Sequence, residues 1–204
     1  MVDIALRTGT ISERPPGTQP FRMLEIEGGA LLRGSVQIGG AKNAALPLLA
    51  ATLLTADECT LTNVPNLSDC HTMVDLLAAL GAEIDFDTER HRVRVRALSL
   101  KTTAAPPELV AKMRASFLVA GPMLARFNET TASTPGGCKL GARPVDVDVR
   151  GFRKMGAEVE ATEQMITART VGLNGAKIYM DYPSHTGTEN LLMAASWQPA
   201  EPRL

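Results

Sequence analysis

Leu76-Leu77-Ala78-Ala79-Leu80-Gly81-Ala82-Glu83-Ile84-Asp85 is echoed later in the chain by Gly151-Phe152-Arg153-Lys154-Met155-Gly156-Ala157-Glu158-Val159-Glu160. In both stretches a helix runs into Gly-Ala, after which acidic and apolar residues alternate. Glycine just past a helix is its usual left-handed stop, and a two-residue alternation reads as a half-buried strand. A further strand follows each time, Arg92 to Arg96 and then Met165 to Arg169. The offset from Gly81 to Gly156 is 156 − 81 = 75 residues.

The segments upstream repeat as well. Lys42 to Leu54 is an Ala/Leu-rich helix with Pro47 placed near its first turn, where proline is tolerated. Val110 to Arg126 is a second such helix. Each leads into a Thr-rich strand, Cys59 to Val64 and Glu129 to Ser133. One unit therefore reads helix, strand, helix, strand, strand, and it occurs twice; such units share a core when stacked. A third begins with a strand at Ile178 to Asp181 and a helix from Thr186 to Ser196. Trp197 to Leu204, with Pro199 and Pro202, does not supply the Thr-rich strand that the pattern calls for, so the third unit is expected to be partial.

Composition sets the surroundings. Of 204 residues, 45% are hydrophobic and 21% charged, the balance of a globular chain, and only 4% are aromatic, so Ala, Leu, Val, Ile and Met must fill the core. A net charge of −1 without a basic block gives no electrostatic reason for nucleic acid. No apolar run reaches the ~18 residues of a membrane span. Met1 to Pro20 lacks a secretory apolar stretch and reads, with residues up to 22, as a tail without structure. Cys59, Cys70 and Cys138 form neither a disulfide framework nor a zinc motif. With no export signal, free thiols point to a reducing cytoplasm.

Four polar segments could carry chemistry. Thr134 to Pro144 is a Pro-Gly-Gly loop that places Cys138 beside Lys139 and near Arg143; cations there favour thiolate, although a glycine turn with an incidental cysteine gives the same pattern. Gly39-Gly40-Ala41-Lys42-Asn43 opens a helix with backbone N–H groups suited to an anion, or is a cap with a solvated lysine. Lys112-Met113-Arg114-Ala115-Ser116 puts a cation at the start of a long helix, against the macrodipole. Asp181 to Asn190 is a polar loop entering a helix, with His185 a loop residue rather than a metal ligand, since no second ligand sits at metal spacing. These residues point to an anionic, phosphorylated ligand and leave the reaction open.

Taken in order, Gly39 to Pro47, Met113 to Ser116, Pro135 to Cys138, Gly141 to Asp146 and Pro183 to Asn190 resemble the UDP-N-acetylglucosamine 1-carboxyvinyltransferase (enolpyruvyl transferase) family from about Met23 to Ser196. The resemblance implies an α/β (α+β) inside-out barrel of helix–strand repeats around buried helices, with two full repeats and part of a third in this chain. It also implies transfer of enolpyruvyl from phosphoenolpyruvate to the 3′-hydroxyl of UDP-N-acetylglucosamine by addition and elimination, the first committed step of peptidoglycan synthesis, with no metal or organic cofactor. By resemblance Cys138 is the proton donor and the residue alkylated by fosfomycin. Lys42 and Asn43 hold phosphoenolpyruvate, Arg114 and Arg143 meet charged groups, and Arg143, Pro144, Val145, Asp146 and Val147 form part of the UDP-sugar site. Ser184, His185 and Thr186 line its diphosphate end. Residues 23–40 correspond to strands that pair with a second domain in the family, residues 41–196 to its N-terminal domain, and residues 197–204 to no part of the pattern. The alternative to a catalytic chain is a truncated inactive fragment, or a non-catalytic UDP-sugar-binding half that needs a C-terminal half of the same enzyme as its partner. Asp148 stands where the family usually has histidine, which would place negative charge near the anion site, and Lys139 where a neutral residue is usual. A shikimate-pathway enolpyruvyl transferase is disfavoured by the Pro-Gly-Gly-Cys loop.

Overall fold

The computed structural model describes residues 7–9, 23–25, 33–134 and 145–197. The chain divides into two units, Met1–Ile38 and Gly39–Leu204. In the first, β1 (Arg7–Gly9) pairs antiparallel with β2 (Met23–Glu25), so the segment expected to lack structure contributes a strand. Within residues 23–40, matched above to strands, Ser35 to Ile38 forms no strand: the backbone has no ladder partner among the described residues, and Val36 and Ile38 are 88% and 81% exposed.

The second unit contains the two repeats. The first runs through α1 (Lys42–Ala51), a 3₁₀ turn (Thr52–Leu54), β3 (Glu58–Leu61), α2 (Ser68–Leu80), β4 (Glu83–Asp87) and β5 (Arg92–Arg96). The second runs through α3 (Pro107–Val110), a 3₁₀ helix (Arg114–Val119), α4 (Ala120–Phe127), β6 (Glu129–Ser133), α5 (Asp146–Lys154), β7 (Glu158–Ala161) and β8 (Met165–Arg169). Each repeat closes as a three-stranded antiparallel sheet of the same order, β3-β5-β4 and β6-β8-β7, with the last strand of the repeat in the centre. The signature glycines behave as read: Gly81 and Gly156, with φ of 115° and 92°, turn each chain out of its helix.

The partial third unit contributes one helix, α6 (His185–Ser196), which packs on α4 and α5. The strand expected just before it, at Ile178 to Asp181, is absent. Ile178 and Met180 pack against the core, but no neighbouring strand offers a backbone ladder. The long helix expected from Val110 to Arg126 is also broken. Met113 is extended (φ −153°, ψ 130°), so Arg114 opens a 3₁₀ helix instead. Pro122 has no N–H with which to continue an α-helix onto the Leu118 carbonyl. Pro47 lies in the second turn of α1 rather than the first, and has no N–H for the Asn43 carbonyl.

One core runs through both repeats and α6, from Leu49, Met73, Leu77 and Val93 to Leu124, Phe152, Ile166 and Leu191. Ala120 to Ala125 are buried on every side, which makes α4 a central helix rather than an amphipathic surface one. Arg126 ties its end to the first repeat: its guanidinium donates to the carbonyls of Leu53, Thr55 and Ala97 at 2.7–2.8 Å and of Leu98 at 3.3 Å. No helix among the described residues is long and apolar enough to cross a membrane.

Candidate functional site

A cavity of about 390 Å³ opens where the first turns of several helical segments meet. Lys42 is the first residue of α1, Asp69 the second of α2, Arg114 the first of the 3₁₀ helix and His185 the first of α6, and all four line it. Asn43, Lys112, Thr186 and Glu189 complete its polar lining, while Leu46, Met113 and Leu118 form the floor. The starts of α1, α2 and the 3₁₀ helix follow Ala41, Leu67 and Met113, and no side chain caps them. Their N–H dipoles add to the field of Lys42, Lys112 and Arg114, an arrangement matched to a ligand that carries several negative charges.

Two acids sit among these cations. Asp69 accepts an ion pair from Lys42 at 2.9 Å, and Glu189 lies 3.6 Å from His185. The hydrogen bond from Lys42 to Asp69, and then their charge attraction, hold the ammonium above its ordinary pKa, so Lys42 is a cation at any physiological pH. Both members of the pair are partly exposed, which makes it a weak, exchangeable contact. Neither Asp69 nor Glu189 stands out in the sequence. Asp69 lies in an unremarkable helix start, and only folding brings α2 beside α1.

The expected site residues divide into three groups. Lys42, Asn43, Arg114, His185 and Thr186 come together around the cavity. Val145, Asp146, Val147 and Ser184 do not line it. Val145 and Val147 are buried in the packing at the start of α5. Asp146 accepts from the Tyr182 hydroxyl at 2.5 Å and from Arg150 at 2.5 Å; the Tyr182 hydrogen bond first, then Arg150, hold its carboxyl below the usual range. Ser184 caps α6, accepting from the Gly187 N–H at 3.1 Å. Cys138, Lys139, Arg143 and Pro144 lie outside the described residues. Of the other thiols, burial pushes both Cys59 and Cys70 up, which makes each a poor nucleophile at neutral pH.

Asp148 departs from expectation. It is not a charge facing an anion but a side chain with 1% of its surface exposed, inside the wall behind the cavity. No cluster of His, Cys, Asp and Glu among the described residues could hold a metal ion.

The repeated helix–strand units around this cavity share their fold with solved enolpyruvyl transferases. The enolpyruvyl transferase NikO from Streptomyces tendae superposes with a TM-score of 0.68 at 17% identity, over 82% of this chain and 39% of that one. EPSP synthase from Acinetobacter baumannii superposes with a TM-score of 0.58 at 14% identity, over 80% of this chain and 38% of that one. At the level of sequence, residues 26–202 match the EPSP synthase (3-phosphoshikimate 1-carboxyvinyltransferase) family, and the chain belongs to it, a family of carboxyvinyl-transferring enzymes. It is 51% identical over 172 residues to the UDP-N-acetylglucosamine 1-carboxyvinyltransferase of Hydrogenovibrio crunogenus. That match covers 84% of this chain and 41% of the relative, so the chain spans about two fifths of the relative's length.

Proposed function

We propose that this chain forms the cation-lined wall of an enzyme that transfers enolpyruvyl from phosphoenolpyruvate to the 3′-hydroxyl of UDP-N-acetylglucosamine. The observation that carries the reading is the convergence of Lys42, Asn43 and Arg114 with uncapped helix starts on one cavity. Both substrates are polyanions, and fixed cations with aligned N–H dipoles stabilise charge as it develops without reorganising. Substantial identity to a UDP-N-acetylglucosamine enzyme, against 14% to a solved EPSP synthase, favours the nucleotide sugar over shikimate 3-phosphate as acceptor.

In the proposed reaction the sugar 3′-hydroxyl gives its proton to a base on the opposite wall as its oxygen adds to C2 of phosphoenolpyruvate, while Cys138 delivers a proton to the C3 methylene. A tetrahedral, phosphate-bearing intermediate results. Loss of a proton from the new methyl group and departure of phosphate restore the double bond. Lys42 and Asn43 hold the phosphate and carboxylate, and Arg114 with Arg143 neutralises the remaining charge. His185 and Thr186, with Arg143, Pro144 and Asp146, hold the UDP-sugar, and Val145, Val147 and Ser184, which do not line the cavity, support these segments by packing and by capping α6. The part of the longer relative that this chain does not span would supply the opposite wall, and the reaction belongs to cell-wall synthesis in the cytoplasm.

The test is phosphate release from phosphoenolpyruvate, dependent on UDP-N-acetylglucosamine, with the 204-residue chain alone and with the complementary part of the relative added. Turnover with UDP-N-acetylglucosamine and none with shikimate 3-phosphate supports the assignment. Turnover with shikimate 3-phosphate alone, or none in either mixture, refutes it. Cys138→Ser is expected to abolish thiol labelling by fosfomycin; labelling that survives places the reactive thiol at Cys59 or Cys70.

A further inference from the structure

Asp148 is the third residue of α5 and is almost completely buried. One carboxyl oxygen, Oδ1, accepts from the Asn190 side-chain amide at 2.9 Å. The other, Oδ2, has no hydrogen-bond partner although it is fully enclosed. Asn190 is itself saturated. Its Nδ2 also donates to the Phe117 carbonyl at 3.2 Å, and its Oδ1 accepts from the Gly121 N–H at 2.6 Å. The amide therefore clamps α6 to α5, to the 3₁₀ helix that begins with Arg114, and to α4. Asp148 lies at the end of this clamp, with Oδ1 held by Asn190 and Oδ2 enclosed without a partner. Two charged groups act on it: Arg114, across the wall, and Asp146, on its own helix; α6 presents only the neutral Asn190 amide. Burial raises the Asp148 carboxyl above the usual carboxylate range, against the Asn190 hydrogen bond and the Arg114 charge, which lower it.

Arg114 faces two ways. It lines the cavity, where an anionic ligand would use its charge, and it is the cation that offsets Asp148 from the other side. Building on the anion-site reading above, we propose that Asp148 is a positioning residue that makes anion binding at the Arg114 wall proton-coupled: the carboxyl takes a proton from solvent as the ligand takes over the Arg114 charge. An enclosed carboxylate with one unpartnered oxygen is held as an ion by the Asn190 hydrogen bond and, after it, by the Arg114 charge. Once a ligand anion shares that guanidinium, the neutral acid is favoured, and it still accepts from Asn190 through its carbonyl oxygen. The sign follows from linkage. The ligand raises the proton affinity of Asp148, so between its free and ligand-bound pKa values binding takes up a proton, and affinity falls as pH rises, by up to about tenfold per pH unit.

The experiment is calorimetric titration of the 204-residue chain between pH 5 and 8, in pairs of buffers with different ionisation enthalpies. Two probes keep constant charge over this range: UDP-N-acetylglucosamine, whose phosphates are both esterified, and sulfate. The wild-type chain is expected to take up a fraction of a proton per ligand. Asp148→Asn, which keeps the shape and an acceptor for Asn190, is expected to bind at least as tightly as wild type at pH 8 with no proton uptake. Circular dichroism at both ends of the range establishes that the variant is folded. Uptake that persists in Asp148→Asn, or wild-type binding of UDP-N-acetylglucosamine without uptake, overturns the proposal, as does absence of uptake with both probes. Uptake with sulfate and no binding of the nucleotide sugar keeps the proton coupling and sinks the nucleotide assignment instead.

Discussion

Gly121→Ala places one methyl group at the close crossing of α4 and α6. Gly121 is the second residue of α4, buried against α6, and its N–H donates 2.6 Å to Asn190 Oδ1. A Cβ there would land on the Asn190 backbone carbonyl and 2.5 Å from its side-chain oxygen. The main obstacle is backbone, which cannot rotate away, so α6 must shift or Asn190 must let go. Forcing a methyl into a filled core costs ~1–3 kcal/mol. Breaking the buried Gly121–Asn190 hydrogen bond costs a further ~1–3 kcal/mol. Alanine returns about 1 kcal/mol through its helix propensity. The net loss is about 3 kcal/mol, which in a chain of this size lowers Tm by roughly 6–12 °C. Gly151→Ala is the internal control. Its Cβ would meet the Leu191 methyl groups, at 2.5 Å for Cδ1, and these are the free end of a rotatable side chain. That variant is expected within about 1 kcal/mol of wild type, since helix propensity offsets a modest repacking cost. Urea unfolding followed by circular dichroism measures both. A Gly121→Ala chain as stable as Gly151→Ala would refute the reading of Asn190 as the clamp between α4 and α6.

Arg126→Met removes the donor to four carbonyls that close the first repeat, and is expected to lower stability by about 2–4 kcal/mol in the same urea assay. Arg126→Lys should recover only part of this, because an ammonium lacks the planar fork. Asp69→Asn removes the group that holds Lys42 above its ordinary pKa, so amine acylation of Lys42 should speed up at pH 9, and sulfate affinity should rise roughly two- to fivefold as the cation loses its internal counterion. Asp148→Asn tests the folded-state pKa of that carboxyl independently of any ligand. A carboxyl raised by folding contributes stability that is complete below the unfolded value of 3.8 and is lost as pH rises through the folded value. The variant should therefore melt above wild type at pH 7 and lose that margin near pH 3; an equal margin at both would show the carboxyl to be ordinary.

The repeats were legible because their signal is local: Gly81 and Gly156 mark helix stops in the sequence itself, and the alternation of Arg92 to Arg96 fixes a strand's faces without reference to anything distant. Where the reading failed, either a missing partner or a local breaker decided the outcome. Ile178 to Met180 alternates as a strand should, yet no ladder lies alongside it, and its apolar residues serve the core alone. Val110 to Arg126 has helical composition throughout, but Met113 and Pro122 break it, and the break sets Arg114 at the head of a 3₁₀ helix at the cavity. The same division runs through the site. Lys42 and Arg114 announce themselves as cations at helix starts, whereas Asp69 and Asn190 look ordinary until α2 meets α1 and α6 meets α4.

Asp148 shows why residue type alone misleads about electrostatics. Its position in sequence, two residues beyond Asp146 at a helix start, suggests one more acid serving the α5 dipole and repelling an anionic ligand. Asp146 fits that picture: it is partly exposed and held in its ionised form by Tyr182 and Arg150. Asp148 points the other way round the same turn, into the packing against Asn190, where its charge is costly. Two carboxyls on one helical turn are thus driven in opposite directions, one toward the ion and one toward the neutral acid, by the side of the helix on which each falls. The cavity consequently receives less negative charge than the sequence implies. Lys42, Lys112 and Arg114 face Asp69 and Glu189, an excess of one cation before the helix dipoles are added, and an anion that displaced Asp69 from Lys42 would meet the full set. A wall that keeps its own counterions weak and removable is suited to polyanions that must bind, react and leave.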